Sequence, residues 1–189
     1  MPRKNPSRES KRSVKKVDLA PLSPQEISEF VERQVVEYAD EKRRAGHWTA
    51  DEAFKRSRAA IQDLLGDDPG ARGHRFFKGL SERGKRVGWI WIGPPPELFH
   101  LENAQWLFQI TVDEKSRGLG FGRGMLVSLE ALLAAEGVEA LHLNVFKWNL
   151  VARNLYDSLG YEVYLETDSE AGMSKRLRSP PRQEPGRRT

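Results

Sequence analysis

The chain has 189 residues, a length that suits one domain with a substantial hydrophobic core. It contains no cysteine, which excludes disulfides, thiolate metal sites and cysteine nucleophiles. No apolar run approaches the roughly 18 residues that a membrane-spanning helix needs, and no apolar stretch of a secretory signal follows the charged N-terminal residues. We therefore expect a cytoplasmic protein that does not associate with membranes.

The net charge of +4 is unevenly distributed along the chain. Residues 1–16 contain seven Lys or Arg and one Glu, and residues 176–189 contain five Arg and one Glu. The rest of the chain therefore carries 19 basic and 25 acidic side chains. This pattern predicts disordered basic tails over residues 1–20 and 179–189, the only parts expected to contact nucleic acid or a ribosome. Residues 21–178 are expected to form the folded domain.

Two amphipathic helices are predicted at the start of the domain. Ser23–Glu26 combines an N-cap serine, a proline at the first helical position and a glutamate at the third. Thr49–Glu52 repeats the capping pattern before a second helix. The apolar stripe of that second helix is predicted to consist of Phe54, Ile61, Leu64 and Leu65. We therefore predict helices over about residues 23–45 and 49–66.

Strands and helices alternate in the remainder of the domain. The predicted elements are strands at 74–80, 86–92 and 104–112, a helix at about 120–136, a strand at 141–145, a helix at about 150–159, and strands at 161–166 and 172–177. This order predicts an α+β or α/β domain built on a mixed sheet.

A glycine-rich turn, Arg117–Gly122, lies between the third predicted strand and the following helix. Such a turn exposes backbone N–H groups that can bind phosphate oxygens. The P-loop pattern is absent, and the dinucleotide pattern G-x-G-x-x-G fails because its sixth position falls on Arg123 or Met125. The turn therefore predicts a site for some other phosphorylated ligand.

Arg117–Gly122 resembles the Q/R-x-x-G-x-G/A acetyl-CoA loop of the GNAT superfamily of N-acetyltransferases. Asn149–Tyr161 is similar to the family's N-x-x-A-x-x-L-Y-x-x-x-G-F segment, with tyrosine as its last residue, and Met173–Leu177 resembles its closing strand. The resemblance covers about residues 23–178. It implies a mixed, largely antiparallel, twisted sheet flanked by helices on both faces, and acetyl-CoA as the acyl donor.

The resemblance also implies a role for each motif. The coenzyme A pyrophosphate would bind the N–H groups of the glycine turn, the pantetheine arm would pair with the main chain of the preceding strand, and Tyr156 would protonate the departing thiolate. The implied donor-binding residues are Ile110, Thr111, Val112, Arg117, Gly118, Leu119, Gly120, Phe121, Gly122, Arg123, Asn149, Ala152 and Tyr156. Asn149 would serve equally as a plain N-cap, Tyr156 as a packed core residue, and the two arginines as surface charges. No metal site is expected, because His, Asp and Glu residues do not cluster in the sequence at the spacing of metal ligands.

The motifs leave the general base unidentified. Many relatives carry Glu or Asp on the strand at 104–112, where this chain has Gln109 and Thr111, and neither accepts a proton at pH 7. The fallback candidates are Glu97, His100 and Glu102. Water relayed from backbone carbonyls is the alternative.

We expect an acetyl-CoA-dependent N-acetyltransferase that transfers the acetyl group directly to a primary amine of a small molecule or a protein. Aromatic side chains facing the acceptor would favour an apolar or aromatic amine. Two other hypotheses stay open: a catalytically idle GNAT-fold protein that binds acyl-CoA, and a nucleic-acid- or ribosome-associated protein acting through its basic tails. The chain is expected to be a monomer or a homodimer.

Overall fold

The computed structural model describes residues 14–70, 72–99 and 101–177. Over these residues the chain forms, in order, β1 (Val17–Pro21), α1 (Pro24–Arg44), α2 (Ala50–Leu65), β2 (Arg75–Ser81), β3 (Arg86–Gly93), β4 (Ala104–Val112), α3 (Phe121–Ala135), β5 (Ala140–Phe146), α4 (Leu150–Ser158), β6 (Glu162–Glu166) and β7 (Glu170–Arg176). Every predicted helix and strand is present, and each begins and ends within two residues of its prediction.

The described strands form one sheet in the order β1-β2-β3-β4-β5-β7-β6. All neighbouring pairs are antiparallel except β4 and β5, which are parallel. Helices α1 and α2 pack on one face through a core that includes Phe30, Trp89 and Trp91. Helices α3 and α4 pack on the opposite face through a core that includes Leu129 and Tyr156. This confirms the predicted α+β class, with a mixed, largely antiparallel sheet and helices on both faces.

Strand β1 corrects the predicted N-terminal tail. The charge pattern predicts disorder over residues 1–20, whereas residues 17–20 belong to β1 and pair antiparallel with β2. Val17 is buried in the core, and its carbonyl accepts a hydrogen bond of 2.5 Å from the Ser128 hydroxyl on α3. The strand escapes prediction because it is only five residues long and directly follows Lys15 and Lys16. The rest of both predicted tails, residues 1–13 and 179–189, lies outside the described residues.

The buried face of α2 also differs from its prediction. Phe54 is 50% exposed, and the buried positions are Ala53, Ser57, Ile61 and Leu65, which follow one another at four-residue spacing. Because this stripe contains the polar residue Ser57, a search for regularly spaced apolar residues does not reveal it. Ser57 is accommodated because its hydroxyl donates to the Val35 carbonyl of α1 at 2.7 Å.

A gap opens in the middle of the sheet between β4 and β5. The register of β4 against β3 skips Phe108, since its neighbours Leu107 and Gln109 pair with successive residues of β3. Such a β-bulge bends its strand. The pairing of β4 with β5 ends at Leu107, although β4 runs on to Val112. Within the part of the chain that the structure describes, residues 108–112 therefore have no strand partner on the β5 side.

Candidate active site

The main chain of β4 directs polar groups into the gap, where no described strand pairs with them. The Asp113 N–H donates to the Val87 carbonyl of β3 at 2.9 Å. Main-chain groups alternate between the two sides of an antiparallel strand, so those of Thr111 also face β3. A Cβ on Gly88 of β3 would collide with the Thr111 carbonyl oxygen, which agrees with this orientation. Among the three predicted β4 residues, Ile110 and Val112 thus direct their main chain into the gap, and Thr111 does not.

The glycine turn has the geometry of an anion site. Gly118 and Gly120 have φ values of +71° and +88°, which only glycine adopts readily. Gly120 is the N-cap of α3, and as a glycine it has no side chain that could cap the helix. The N–H groups of Phe121, Gly122 and Arg123 lie in the first turn, where they have no partner within the helix. They converge at the positive end of α3, as the binding of a pyrophosphate requires.

Arg117 and Arg123 lie near this turn and make different contacts. The Arg117 Nε donates to the Val112 carbonyl at 3.1 Å, so its guanidinium stays beside the gap. The Arg123 guanidinium instead binds Ser158 at the end of α4, and this contact joins α3 to α4. The side chain of Arg123 therefore points away from the turn, and only its N–H lies in the first turn of α3.

Lys15 is a further cation at the glycine turn that the sequence did not predict. Its Cγ would lie 3.5 Å from a Cβ placed on Gly120. The Lys15 carbonyl leaves no room for a Cβ on Gly124, which explains the glycine at that position. The segment before β1 thus runs directly over the start of α3. The sequence does not predict this contact, because its charge pattern places Lys15 in a disordered tail.

A cavity of about 490 Å³ continues from the gap to α1 and α2. Its donor-side wall contains Ile110, Asn149, Ala152 and Tyr156. Asn149 is the N-cap of α4, where its side-chain oxygen accepts from the Ala152 N–H at 3.2 Å. Its side-chain NH₂ has no hydrogen-bond partner among the described residues and is available to a ligand. The structure brings these predicted residues together around one space.

Tyr156 is poised as a hydrogen-bond donor in this cavity. Its side chain is 6% exposed, and its hydroxyl has no hydrogen-bond partner among the described residues. Burial raises the pKa of Tyr156 above its ordinary value, and the negative charge of Glu41 raises it further. The hydroxyl consequently keeps its proton at neutral pH.

Aromatic and aliphatic side chains form the opposite wall, between the sheet and α2. This wall contains Ala60, Ile61, Leu64, Trp91 and Phe108. The Trp91 and Phe108 rings stack with centroids 4.8 Å apart. The Trp91 indole N–H donates to His74 Nδ1 at 3.0 Å, and burial lowers the pKa of His74, which keeps that nitrogen an acceptor. The wall is therefore apolar and held in one geometry.

Glu41 of α1 is a carboxylate in the cavity wall that no sequence motif indicates. It forms no ion pair or side-chain hydrogen bond with any residue that the structure describes. Burial raises the pKa of Glu41 to about 7; Glu37 and Glu170 raise it as well, and Lys42 opposes them. A carboxylate with this pKa can accept a proton near neutral pH. The clue in the sequence is the spacing of Glu37 and Glu41, which share one face of α1.

The predicted fallback bases lie elsewhere. Glu97 and Glu102 are exposed and do not line the cavity. His100 lies outside the described residues. Within the described part of the chain, no cluster of three His, Cys, Asp or Glu could hold a metal ion. The same residues include no helix that is both long and apolar enough to cross a bilayer.

Comparison with known proteins gives consistent matches. A family model described as the acetyltransferase (GNAT) family matches residues 33–161. The chain is 30% identical over 159 residues to YycN, an uncharacterised N-acetyltransferase of Bacillus subtilis strain 168, with 84% of this chain and 97% of YycN covered. The crystal structure of YycN is similar with a TM-score of 0.71 and 29% identity, over 80% of this chain and 94% of that chain.

Two structures containing coenzyme A share the fold at lower identity. The PaiA N-acetyltransferase of Thermoplasma acidophilum in complex with coenzyme A has a TM-score of 0.59 and 15% identity, over 85% of this chain and 98% of that chain. Spermidine N-acetyltransferase of Vibrio cholerae, in complex with CoA and spermine, has a TM-score of 0.58 and 14% identity, over 86% of this chain and 96% of that chain.

Proposed function

Because the chain belongs to the GNAT acetyltransferase family, we propose that it is an acetyl-CoA-dependent N-acetyltransferase that acetylates a primary amine directly. The observation that carries the proposal is the continuity of three features. The glycine turn opens α3, the gap exposes the main chain of Ile110 and Val112, and the cavity beyond contains both Tyr156 and Glu41. The glycine turn would bind phosphate, the gap would hold a linear arm, and Tyr156 and Glu41 would transfer protons. These three features follow one another from α3 to α1.

The residues of the donor side fit coenzyme A. The free N–H groups at the start of α3 would bind the pyrophosphate, with Arg117 and Lys15 adding positive charge. The N–H groups of Ile110 and Val112 would bind the pantetheine arm, and the amide of Asn149 would bind it from α4. These groups need partners that the sheet itself does not provide.

The proposed chemistry needs no covalent enzyme intermediate, and the cysteine-free sequence agrees with a direct transfer. Acetyl-CoA supplies an activated thioester. Glu41 accepts a proton from the acceptor's ammonium group, which frees the nitrogen lone pair for attack on the carbonyl carbon. A main-chain N–H of β4 polarises the carbonyl oxygen. As the carbon–sulfur bond breaks, Tyr156 donates its proton to the thiolate. The second proton of the nitrogen passes through solvent to restore Tyr156, and Glu41 releases its proton to solvent, so that one proton is released in each turnover.

Thiol release from acetyl-CoA, followed with dithionitrobenzoate and a broad panel of primary amines, tests this function. We expect amine-dependent release of free coenzyme A, and calorimetry should show that coenzyme A binds without any amine. Coenzyme A binding with no turnover for any amine would contradict the enzyme function. That result would instead favour the idle acyl-CoA-binding protein.

A further inference from the structure

The charges in the cavity wall limit what can be bound there. Two carboxylates line the cavity, those of Glu41 and Glu170. Glu170 is already compensated, because Lys42 Nζ lies 2.8 Å from its Oε1 and Asn144 donates to its other oxygen. Glu170 therefore has no charge left to attract a ligand cation.

A third carboxylate, Glu37, lies behind the wall and is also satisfied. It accepts hydrogen bonds from Gln34 at 2.8 Å and from Gln109 at 3.4 Å. Arg33 Nε lies 3.5 Å from its other oxygen. Among the described carboxylates of this region, Glu41 alone has no cation partner. The cavity therefore offers one uncompensated negative charge.

Among the described residues, the apolar wall offers no carboxylate and no side-chain hydrogen-bond acceptor to a second ammonium group. Ile61 and Leu64 present hydrocarbon, and burying an unpaired charge against them is unfavourable. An aromatic face can bind an ammonium group, but both faces of Trp91 are occupied. Phe108 stacks on it with centroids 4.8 Å apart, and Phe76 stacks with centroids 5.6 Å apart.

The size of the cavity favours a small acceptor. Its volume of about 490 Å³ lies in the lower part of the range of roughly 300–1,000 Å³ for small-molecule sites. The acyl end of the donor must share that space. A peptide acceptor would also bury backbone N–H and C=O groups against Ile61, Leu64 and Phe108, which cannot hydrogen-bond them.

We propose that the acceptor is a small primary monoamine with an uncharged, apolar body. This inference rests on the proposed N-acetyltransferase function. The ammonium group pairs with Glu41, and the body lies against Ile61, Leu64 and Phe108. The single free carboxylate distinguishes this cavity from one suited to a polycation such as spermidine.

A matched pair of amines tests the inference. n-Hexylamine and 1,5-diaminopentane have the same number of heavy atoms, and the diamine replaces a terminal methyl group by a second ammonium. We expect kcat/KM at pH 8 to be at least tenfold higher for n-hexylamine. 2-Phenylethylamine should likewise exceed spermidine and a short lysine-containing peptide. Equal or better use of the diamine, of spermidine or of the peptide would overturn the proposal.

Direct binding separates this inference from the proposed function. Amine binding to the full-length protein in the presence of coenzyme A can be followed by tryptophan fluorescence, since Trp91 lines the cavity. n-Hexylamine should bind at least tenfold more tightly than 1,5-diaminopentane. If n-hexylamine binds selectively but no amine is acetylated, the enzyme function fails and the acceptor class stands. If amines are acetylated without preference for monoamines, only the acceptor class fails.

Variants of two phenylalanines test whether the body of the amine contacts the wall formed by Phe108. Phe108→Ala should weaken n-hexylamine binding about fivefold, because the removed ring contributes apolar contact area. Phe54→Ala is the matched control, since Phe54 is 50% exposed on α2 and does not line the cavity. An equal affinity of both variants would contradict the placement of the acceptor body against Phe108.

Discussion

Glu41 determines the expected pH dependence of the reaction. Burial raises its pKa to about 7; the negative charges of Glu37 and Glu170 raise it as well, and the positive charge of Lys42 opposes them. A general base acts only when deprotonated. We therefore expect kcat/KM to rise as the pH passes through about 7, below the range in which the acceptor amine itself titrates.

Replacement of this carboxylate tests its role as the base. Glu41→Gln should lower kcat/KM at pH 8 by about 10²-fold, the usual contribution of a positioned base, and should remove the inflection near pH 7. Glu29→Gln is the control, because Glu29 is an exposed glutamate of the same helix. If the Glu41→Gln profile keeps its inflection near 7, another group accepts the proton.

The same carboxylate is expected to reduce the stability of the fold at high pH. A glutamate whose pKa is raised in the folded state, from 4.5 to about 7, binds more protons when folded than when unfolded. Its contribution therefore becomes unfavourable as the pH rises from about 4.5 to about 7. Glu41→Gln should exceed the wild type by about 1–3 kcal/mol in free energy of unfolding at pH 8. The gain should vanish near pH 4, and urea unfolding at both pH values would detect it.

Tyr156 permits a separate test of the leaving-group step. Tyr156→Phe removes only a hydroxyl that has no hydrogen-bond partner among the described residues, so the fold should be unchanged. We expect kcat to fall about tenfold rather than to zero, because a thiolate is a good leaving group. Tyr161→Phe is the control, since Tyr161 is buried nearby but does not line the cavity. Equal kcat values for the two variants would exclude proton donation by Tyr156.

At the level of elements, the start of α3 is expected to decide donor affinity. Gly120→Glu places a carboxylate among the free N–H groups and should weaken coenzyme A binding at least 100-fold in calorimetry. The control is Gly137→Glu at the other end of α3. Gly137 has a φ of +84°, close to the +88° of Gly120, and its surroundings are open, so backbone strain is matched. Equal losses in the two variants would show that strain, not the anion site, controls affinity.

Local patterns predicted most elements, while features that depend on cross-strand register were missed. The capping box at Ser23 and the apolar periodicity of α3 are contained within single segments. The bulge at Phe108 depends on how β4 pairs with β3, and no local pattern encodes that pairing. The orientation of the Thr111 main chain is fixed by the same register.

For the whole molecule, a part of the site can be predicted when its residues are close together in the sequence. The donor half comes from the glycine turn and from α4, whose motifs are contiguous and therefore recognisable. The acceptor half brings together Glu41, Leu64 and Trp91 from three elements that are distant in sequence. Their proximity exists only once α1 and α2 pack on the sheet, so the spacing of Glu37 and Glu41 in the sequence does not by itself place Glu41 at the site.

The gap between β4 and β5 divides the sheet into two blocks, β1–β4 and β5–β7, whose strands pair in the described structure only from Ala104 to Leu107 of β4. A donor molecule lying in the gap would act as a bridging strand between them. We therefore expect coenzyme A to raise the melting temperature and to slow amide hydrogen exchange in β6 and β7, which do not touch the glycine turn. Protection confined to the turn would contradict this coupling. The ligand is thus expected to complete the sheet as well as to occupy a site on it.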